Sequence, residues 1–238
     1  MKNNTEKTWC VVPAAGLGSR MQQDRPKQYL AFRSSTILDV TLSRLLACQQ
    51  FEKIVLCLRS DDPYWPSSQY FTDERIIVAV GGDERADSVL NGIQALKAYA
   101  GQTDWVLVHD AARPCIRLDD IERLISSAKS QQQGAILAAP IHDTIKYVSA
   151  NIALKTLDRS SLWRALTPQI FKLDDLEQAL LSAKLKGSVI TDEASAIEQL
   201  NQVVLIVEGR ADNIKITCLD DLALADFYIE KQEKETCE

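Results

Sequence analysis

Short apolar runs recur along the chain and predict buried β-strands. They occupy residues 9–13, 54–58, 76–80, 105–108 and 135–139. Consecutive apolar positions require both faces of a strand to be covered, as in a parallel sheet between two layers of helices. Apolar residues recur at helical spacing over residues 37–48, 84–100 and 118–131. The alternation predicts an α/β fold with an open, mostly parallel Rossmann-like sheet flanked by helices.

Residues 141–157 depart from this pattern, because they are polar and each half of the segment alternates. Ser149, Ala150 and Asn151 form a turn signal at its middle, so we expect a protruding β-hairpin. A two-stranded ribbon is marginal alone and needs a surface to pack on. We therefore predict a single domain over residues 1–238, with 141–158 as a dimerisation arm in a homodimer.

Near the C-terminus, a capping box predicts the start of the last helix. Thr217 and Asp220 have the spacing of an N-cap hydroxyl and the acidic residue that returns a hydrogen bond to it. Thr191 is likewise a candidate N-cap, followed by Asp192 and Glu193 in the first turn.

Composition excludes several classes of protein. The 238 residues carry a net charge of −6, unlike the basic surface of a nucleic-acid-binding protein. The six cysteines include no C-x-x-C pair and there are two histidines, which argues against a zinc site. The polar N-terminus lacks the apolar stretch that a signal peptide requires, and no apolar run is long enough to span a membrane. We expect a cytoplasmic protein.

The loop after the first apolar run has the composition of a phosphate-binding loop. Its small residues are Ala14, Ala15, Gly16 and Gly18. They allow backbone N–H groups to approach phosphate oxygens closely. Arg20 and Lys27 add positive charge at the carboxyl end of a strand, where open α/β sheets bind ligands.

Alternative interpretations of this loop remain open on its spacing alone. A dinucleotide-binding loop would have a third glycine where Met21 stands, and the Walker pattern G-x-x-x-x-G-K-[ST] is absent. A tight turn with two solvated cations would fit the glycine spacing equally well. The presence of Arg20, Pro26 and Lys27 together favours a nucleotidyltransferase loop.

Residues 13–21 (PAAGLGSRM) followed by 26–29 (PKQY) resemble the signature of 2-C-methyl-D-erythritol 4-phosphate cytidylyltransferases. The resemblance continues, in the family's order, through blocks across nearly the whole chain. These are GGDERADSV (81–89), WVLVHDAARP (105–114), ILAAP with DTIK (136–146), LDR (157–159), LWRALTPQ (162–169), TDEASA (191–196) and EGRADNIKIT (208–217). Such a set is far more specific than one glycine-containing loop.

The resemblance assigns the nucleotide and metal sites. It implies that Gly82, Asp83 and Ser88 bind the cytosine and ribose, although a turn followed by a helix cap explains the same residues. Asp110 follows a buried strand directly, and a carboxylate there suits Mg²⁺. The alternative for Asp110 is to cap the next turn. The resemblance makes Asp110 the metal ligand and places Asp212 on the metal side.

The acceptor site is also assigned by resemblance. Thr144 and Arg159 match positions that reach into a neighbouring subunit's site and hold the methylerythritol phosphate, and a planar guanidinium suits a phosphate. Thr167, Thr191 and Lys215 match further substrate-positioning residues. No catalytic role is expected for His109 or His142.

The implied reaction joins CTP to 2-C-methyl-D-erythritol 4-phosphate and releases pyrophosphate, with Mg²⁺, Arg20 and Lys27 stabilising the transferred group. A ribitol-5-phosphate cytidylyltransferase would share the nucleotide loop and differ in the acceptor pocket. A nicotinamide-dependent oxidoreductase is disfavoured by the missing third glycine and by Leu58 and Arg59 at the end of the second run, where an acidic residue belongs. A non-catalytic nucleotide sensor would not need Arg20, Lys27 and Asp110 together.

Overall fold

Residues 6–16 and 25–236 are described by a computed structural model. Its strands are β1 (Thr8–Pro13), β2 (Ala31–Phe32), β3 (Ser35–Thr36), β4 (Phe51–Leu58), β5 (Ile76–Val80), β6 (Trp105–Val108), β7 (Ala135–Pro140), β8 (Ile145–Ser149), β9 (Ile152–Leu157), β10 (Trp163–Lys172) and β11 (Leu205–Glu208). Its α-helices are α1 (Ile37–Leu46), α2 (Arg85–Leu96), α3 (Leu118–Gln131), α4 (Leu173–Lys186), α5 (Glu193–Glu198) and α6 (Asp220–Thr236).

The centre of the fold is a seven-stranded sheet in the order β11-β7-β10-β6-β1-β4-β5. Neighbouring strands are parallel except that β10 runs antiparallel to both β6 and β7. The predicted mostly parallel α/β sheet is therefore confirmed. The chain order reverses at β1, which lies between β4 and β6, and such a reversal leaves a crevice at the carboxyl ends of the strands.

Helices cover both faces of the sheet, as the apolar runs require. Along β1, Cys10 and Val12 pack in the same core cluster as residues of α1 and α3. Trp9 and Val11 alternate with them and pack with residues of α2, α4 and α5 on the opposite face. Since successive side chains of a strand point to opposite faces, a strand covered on both sides is apolar at every position.

The five strands and three helices predicted from periodicity are present, with ends shifted by up to a few residues. The periodicity did not predict β10, β11 or α4, and only a candidate cap indicated the start of α5. In β10, Pro168 argues against a central strand, because proline cannot donate to the ladder. The structure accommodates it where the register between β10 and β7 shifts, between Ala165 and Gln169.

Two predicted helix caps are wrong in detail. Ahead of α6, the carboxylate of Asp221 rather than Asp220 accepts from Thr217 N, Thr217 Oγ1 and Cys218 N at 2.7–3.0 Å. The N-cap of α5 is Asp192 rather than Thr191, because Asp192 Oδ1 accepts from Ser195 N at 3.0 Å. In both places a neighbouring carboxylate takes the hydrogen bonds.

The predicted hairpin is formed by β8 and β9, which pair antiparallel. Ala150 and Asn151 both adopt positive φ, at 45° and 64°, in the tight turn between the strands. The ribbon exposes large apolar side chains, which are Tyr147, Val148, Ile152 and Leu154. Its predicted role as a dimerisation arm stays a prediction.

No helix in the described part of the chain is both long and apolar enough to cross a membrane.

Gly92 allows α2 to lie close to the sheet. A Cβ at this position would lie 2.7 Å from Val11 Cγ1 and 2.8 Å from Cys57 Sγ, inside two buried strands. We expect Gly92→Val to lower the free energy of unfolding by ~2 kcal/mol through overpacking, measured by urea denaturation. Gly101→Val is the control, because a Cβ there meets Asp104 only at 3.8 Å. Equal stabilities of the two variants would contradict close packing at Gly92.

Candidate active site

A cavity of about 290 Å³ opens at the carboxyl ends of β1, β5 and β6. One wall is the segment from Pro13 to Gly16 that follows β1, and another is the turn at Gly82 that precedes α2. Asp110 follows β6, and Lys27 and Lys215 come from two further segments. The cavity therefore combines backbone-rich walls with one buried carboxylate, two ammonium groups and the guanidinium of Arg85, which suits a ligand with several phosphates.

Asp110 is the charged centre of the cavity and only 6% exposed. Its Oδ1 accepts from Arg85 Nε at 2.7 Å, and its Oδ2 lies 2.8 Å from Lys215 Nζ and 3.6 Å from Arg113 Nε. Burial alone would raise the pKa of Asp110, but the positive charges of Arg85, Lys215 and Arg113 outweigh burial and hold this pKa well below its usual range. The carboxylate is therefore ionised at neutral pH.

Arg85 connects Asp110 to a second buried carboxylate. Its Nη1 and Nη2 donate to Glu193 Oε1 and Oε2 at 2.6 and 3.0 Å, and Glu193 is fully buried. The fork of donors on a guanidinium matches such a bidentate pair. Sequence analysis placed Glu193 only in the first turn of a helix and did not name Arg85, although both lie in quoted blocks. Their pairing spans 108 positions, so only the packing of those blocks reveals it.

Behind Asp110 a buried chain of hydrogen bonds fixes the backbone. Thr167 Oγ1 accepts from Asp110 N at 3.1 Å and lies 3.1 Å from His109 Nδ1, while His109 Nε2 lies 3.1 Å from the carbonyl of Arg113. A carbonyl only accepts, so Nε2 carries the proton, and the Thr167 hydroxyl donates to Nδ1. His109 is thus a packed neutral imidazole.

Lys27 lies in a short 3₁₀ turn, Lys27–Tyr29, which is fixed on two sides. The buried Gln28 side chain donates to the carbonyl of Ala14 at 2.7 Å, and Tyr29 Oη donates to Asp62 at 3.0 Å. Lys27 Nζ itself donates to the carbonyl of Ile216 at 3.2 Å. These bonds place Lys27 between the end of β1 and the segment that carries Lys215.

The backbone of the turn before α2 lies very close to neighbouring side chains. A Cβ on Gly81 would lie 2.4 Å from Ala15 Cβ, and one on Gly82 would lie 2.3 Å from Asp87 Cβ. Ser88 is buried and its Oγ accepts from Gly82 N at 3.0 Å, so its hydroxyl shapes the turn. Asp83 also lines the cavity.

A more open groove of about 540 Å³ lies between the end of β7 and the segment after β11. Arg123 and Arg210 line it, and both pair with the buried carboxylate of Asp120 at 2.5 and 2.7 Å. The smaller cavity at Asp110 is the better candidate for an anionic substrate, because it adds the backbone walls at Gly16 and Gly82 and the ammonium group of Lys27 to its charged groups.

Comparison with known proteins places the chain among nucleotide-transferring enzymes. Residues 8–231 match the sequence profile of 2-C-methyl-D-erythritol 4-phosphate cytidylyltransferase. The chain belongs to this family. A cytidylyltransferase of this name from Photobacterium profundum is 48% identical over 97% of this chain and 100% of its own length. Another, from Pseudoalteromonas translucida, is 50% identical over 94% of this chain and 92% of its own length.

Solved structures of the family share the fold. The crystal structure of the Francisella tularensis 2-C-methyl-D-erythritol 4-phosphate cytidylyltransferase superposes with a TM-score of 0.82 at 38% identity. The match covers 94% of this chain and 100% of that one. The family resemblance in the sequence and the predicted fold class are both confirmed.

The cavity brings together residues that were predicted for different parts of the site. Lining it are the predicted nucleotide-binding residues Ala14, Ala15, Gly16, Gly82, Asp83 and Ser88, the predicted catalytic residue Lys27, the predicted metal ligand Asp110 and the predicted substrate-positioning residue Lys215. Gly18 and Arg20 lie outside the described residues, and their assigned roles stay predictions.

Four other residues assigned by the family resemblance do not line this cavity. Thr144 and Arg159 are exposed at the base of the hairpin, where Arg159 Nη1 donates to the carbonyl of His142. Thr167 is buried behind Asp110, and Thr191 is exposed, with its N–H donating to Ser195 Oγ at 3.2 Å. Within one subunit, the structure therefore does not gather these residues around the nucleotide cavity.

Asp212 is likewise separate from Asp110. Its Oδ2 accepts from Arg117 Nη2 at 2.7 Å and from Gln232 Nε2 at 3.2 Å, and it does not line the cavity. The predicted metal role of Asp212 therefore gains no support from its position in one subunit, because its carboxylate is held by the start of α3 and by α6.

The Mg²⁺ implied by the family fits the donor set at Asp110. Magnesium binds through one or two carboxylates together with substrate phosphates and keeps several waters. Among the residues described, no group of three or more His, Cys, Asp or Glu side chains is arranged to hold a metal. Each oxygen of Asp110 has a lone pair beyond the one that faces Arg85 or Lys215, so the carboxylate can still accept a cation.

Stability between pH 7 and pH 5 should depend on His109. Burial lowers the pKa of His109 to about 4, from 6.5 in the unfolded chain. The unfolded state binds a proton below pH 6.5, whereas the folded state binds one only near pH 4. The contribution of the neutral His109 to stability is therefore fully present above pH 6.5 and is lost as the pH falls to 4. We expect the free energy of unfolding to drop by about 2 kcal/mol from pH 7 to pH 5.

The measurement is urea unfolding at a series of pH values. His109→Gln should flatten this pH dependence, whereas His142→Gln, at an exposed position, should leave it unchanged. A wild-type slope that survives in His109→Gln would show that another group causes it.

Proposed function

We propose that this chain transfers the cytidylyl group of CTP to 2-C-methyl-D-erythritol 4-phosphate, giving 4-diphosphocytidyl-2-C-methyl-D-erythritol and pyrophosphate. The observation that carries the proposal is the convergence of Lys27, Asp110 and Lys215 on a cavity with glycine-containing walls at the carboxyl edge of the sheet. Family membership supports the identity of both substrates, since the relatives carry this name.

The proposed reaction is an in-line displacement. An oxygen of the acceptor phosphate forms a bond to the α-phosphorus of CTP, and the bond from that phosphorus to the bridging oxygen of pyrophosphate breaks. The acceptor phosphate is already an anion at neutral pH, so the step needs no general base. Two anions must be brought together, which makes charge neutralisation and positioning the main tasks of the protein.

Each task has a candidate group in the cavity. Lys27 and Arg20 are proposed to stabilise charge on the phosphates. Asp110 would hold Mg²⁺, which would neutralise phosphate charge. Lys215, whose Nζ lies 2.8 Å from Asp110 Oδ2, is proposed to orient the acceptor phosphate. The walls at Gly16 and Gly82 allow backbone groups to approach the nucleotide.

We further propose a homodimer whose hairpins complete the acceptor sites. Thr144 and Arg159 lie at the hairpin base away from the cavity of their own subunit, and the hairpin exposes Tyr147, Ile152 and Leu154. Exposed apolar patches of this kind favour association. In a symmetric dimer, each hairpin would contact the other subunit in the same way.

A cytoplasmic location is part of the same proposal.

A substrate assay tests the reaction. We expect pyrophosphate release with Mg²⁺, CTP and 2-C-methyl-D-erythritol 4-phosphate, and little with UTP, ATP or GTP. Release with ribitol 5-phosphate but not with the methylerythritol phosphate would overturn the acceptor assignment.

Lys27→Ala should lower turnover by ~10²-fold, the scale for removing one preorganised charge. Lys231→Ala, on the exposed face of α6, is the control and should keep wild-type turnover.

A mixing experiment tests whether the acceptor site is shared between subunits. Lys27→Ala and Arg159→Ala subunits are each expected to be poorly active alone. After random re-association, half of the dimers are mixed and each has one intact site, so about a quarter of wild-type activity should return. If Arg159 acts in its own subunit, mixing restores nothing.

A further inference from the structure

Arg85 has its donors divided between two carboxylates with different surroundings. Nε donates to Asp110, which lines the cavity, and both Nη atoms donate to Glu193, which does not. All three bonds are between 2.6 and 3.0 Å. With both edges of its planar group occupied, Arg85 is held in one orientation, and Asp110 Oδ1 is held by Arg85.

The charges around Asp110 indicate a role for Glu193. Asp110 faces the positive charges of Arg85, Lys215 and Arg113. Arg85 already donates its Nε to Asp110, and without Glu193 its Nη groups could turn to the same carboxylate and compete with the binding of a cation. Glu193 offsets the charge of Arg85, which itself lines the cavity, and it engages both Nη atoms of the guanidinium.

Stability alone is a weak explanation for a buried pair of this kind. Removing two charges from water is costly, and apolar residues of similar volume often stabilise a protein as well or better. Here the fully buried Glu193 begins α5, Arg85 begins α2, and Asp110 follows β6. The pair therefore joins three elements at the position of the cavity carboxylate.

We propose that Glu193 is a positioning residue that acts through Arg85 to orient Asp110 for binding the metal–nucleotide complex. The inference rests on the proposed function of Asp110, and it concerns a residue that does not itself line the cavity. Groups that orient a metal-binding side chain typically change metal affinity or activity by 10- to 100-fold when altered.

The test uses Mn²⁺ as a paramagnetic probe. We expect Glu193→Gln to weaken Mn²⁺ binding to the protein–CTP complex by about 10-fold, measured by the electron paramagnetic resonance signal of free Mn²⁺. In turnover assays the Mg²⁺ concentration for half-maximal rate should rise by a similar factor, while the KM for the acceptor changes little. Unchanged Mn²⁺ binding in a folded Glu193→Gln protein would overturn the proposal.

Glu177→Gln is the matched control. Glu177 is also buried, and its carboxylate pairs with Lys97 at 2.7 Å between α2 and α4, away from the cavity. It should keep wild-type Mn²⁺ binding even if its melting temperature falls. A control that loses Mn²⁺ binding to the same degree would indicate a general effect of helix packing.

A double variant covers the case in which Glu193→Gln does not fold. Arg85→Met with Glu193→Leu removes both charges and leaves neither partner buried and unpaired. We expect it to fold and still to bind Mn²⁺–CTP about 10-fold more weakly, because Asp110 is no longer held. Wild-type binding by the folded double variant would overturn the proposal. Since binding is measured without turnover, failure of the wild-type assay would count against the proposed reaction only.

Discussion

The fold is organised around a carboxylate that is buried yet ionised. Asp110 lies at the end of β6 and is nearly inaccessible, and its charge is maintained by Arg85, Lys215 and Arg113. A buried charge is tolerated only when it is paired and hydrogen-bonded. The segments that supply these cations must therefore pack together, and their assembly forms the cavity.

The sheet provides the rigid frame for this assembly. Helices cover both faces, so polar side chains and turns collect at the strand ends, and the reversal of strand order at β1 opens a crevice there. Two buried hydrogen bonds, one from Gln28 Nε2 to the carbonyl of Ala14 and one from Asp110 N to Thr167 Oγ1, then fix the loops relative to the strands. The positions of Lys27 and Asp110 thus follow from contacts deep in the protein.

The two substrates would meet different parts of the molecule. The cavity at Asp110 is formed by one chain, whereas Thr144 and Arg159 lie at the base of an exposed hairpin. The separation of Thr144 and Arg159 from the cavity of their own chain is the physical basis for the proposed dimer. It would link substrate positioning to association, because an isolated subunit would have Lys215 at its cavity but would lack Thr144 and Arg159 there.

The sequence by itself determined the α/β class, because strands covered on both faces must be apolar throughout and amphipathic helices repeat with their own period. It also located the hairpin and predicted Lys27 and Asp110 as site residues, and both line the cavity. Only the tertiary structure revealed that Glu193 holds Arg85, since their contact joins residues 108 positions apart. It likewise separated Asp212 from the cavity. Local patterns encode which surfaces are buried, whereas long-range pairing of charged groups depends on how the elements pack.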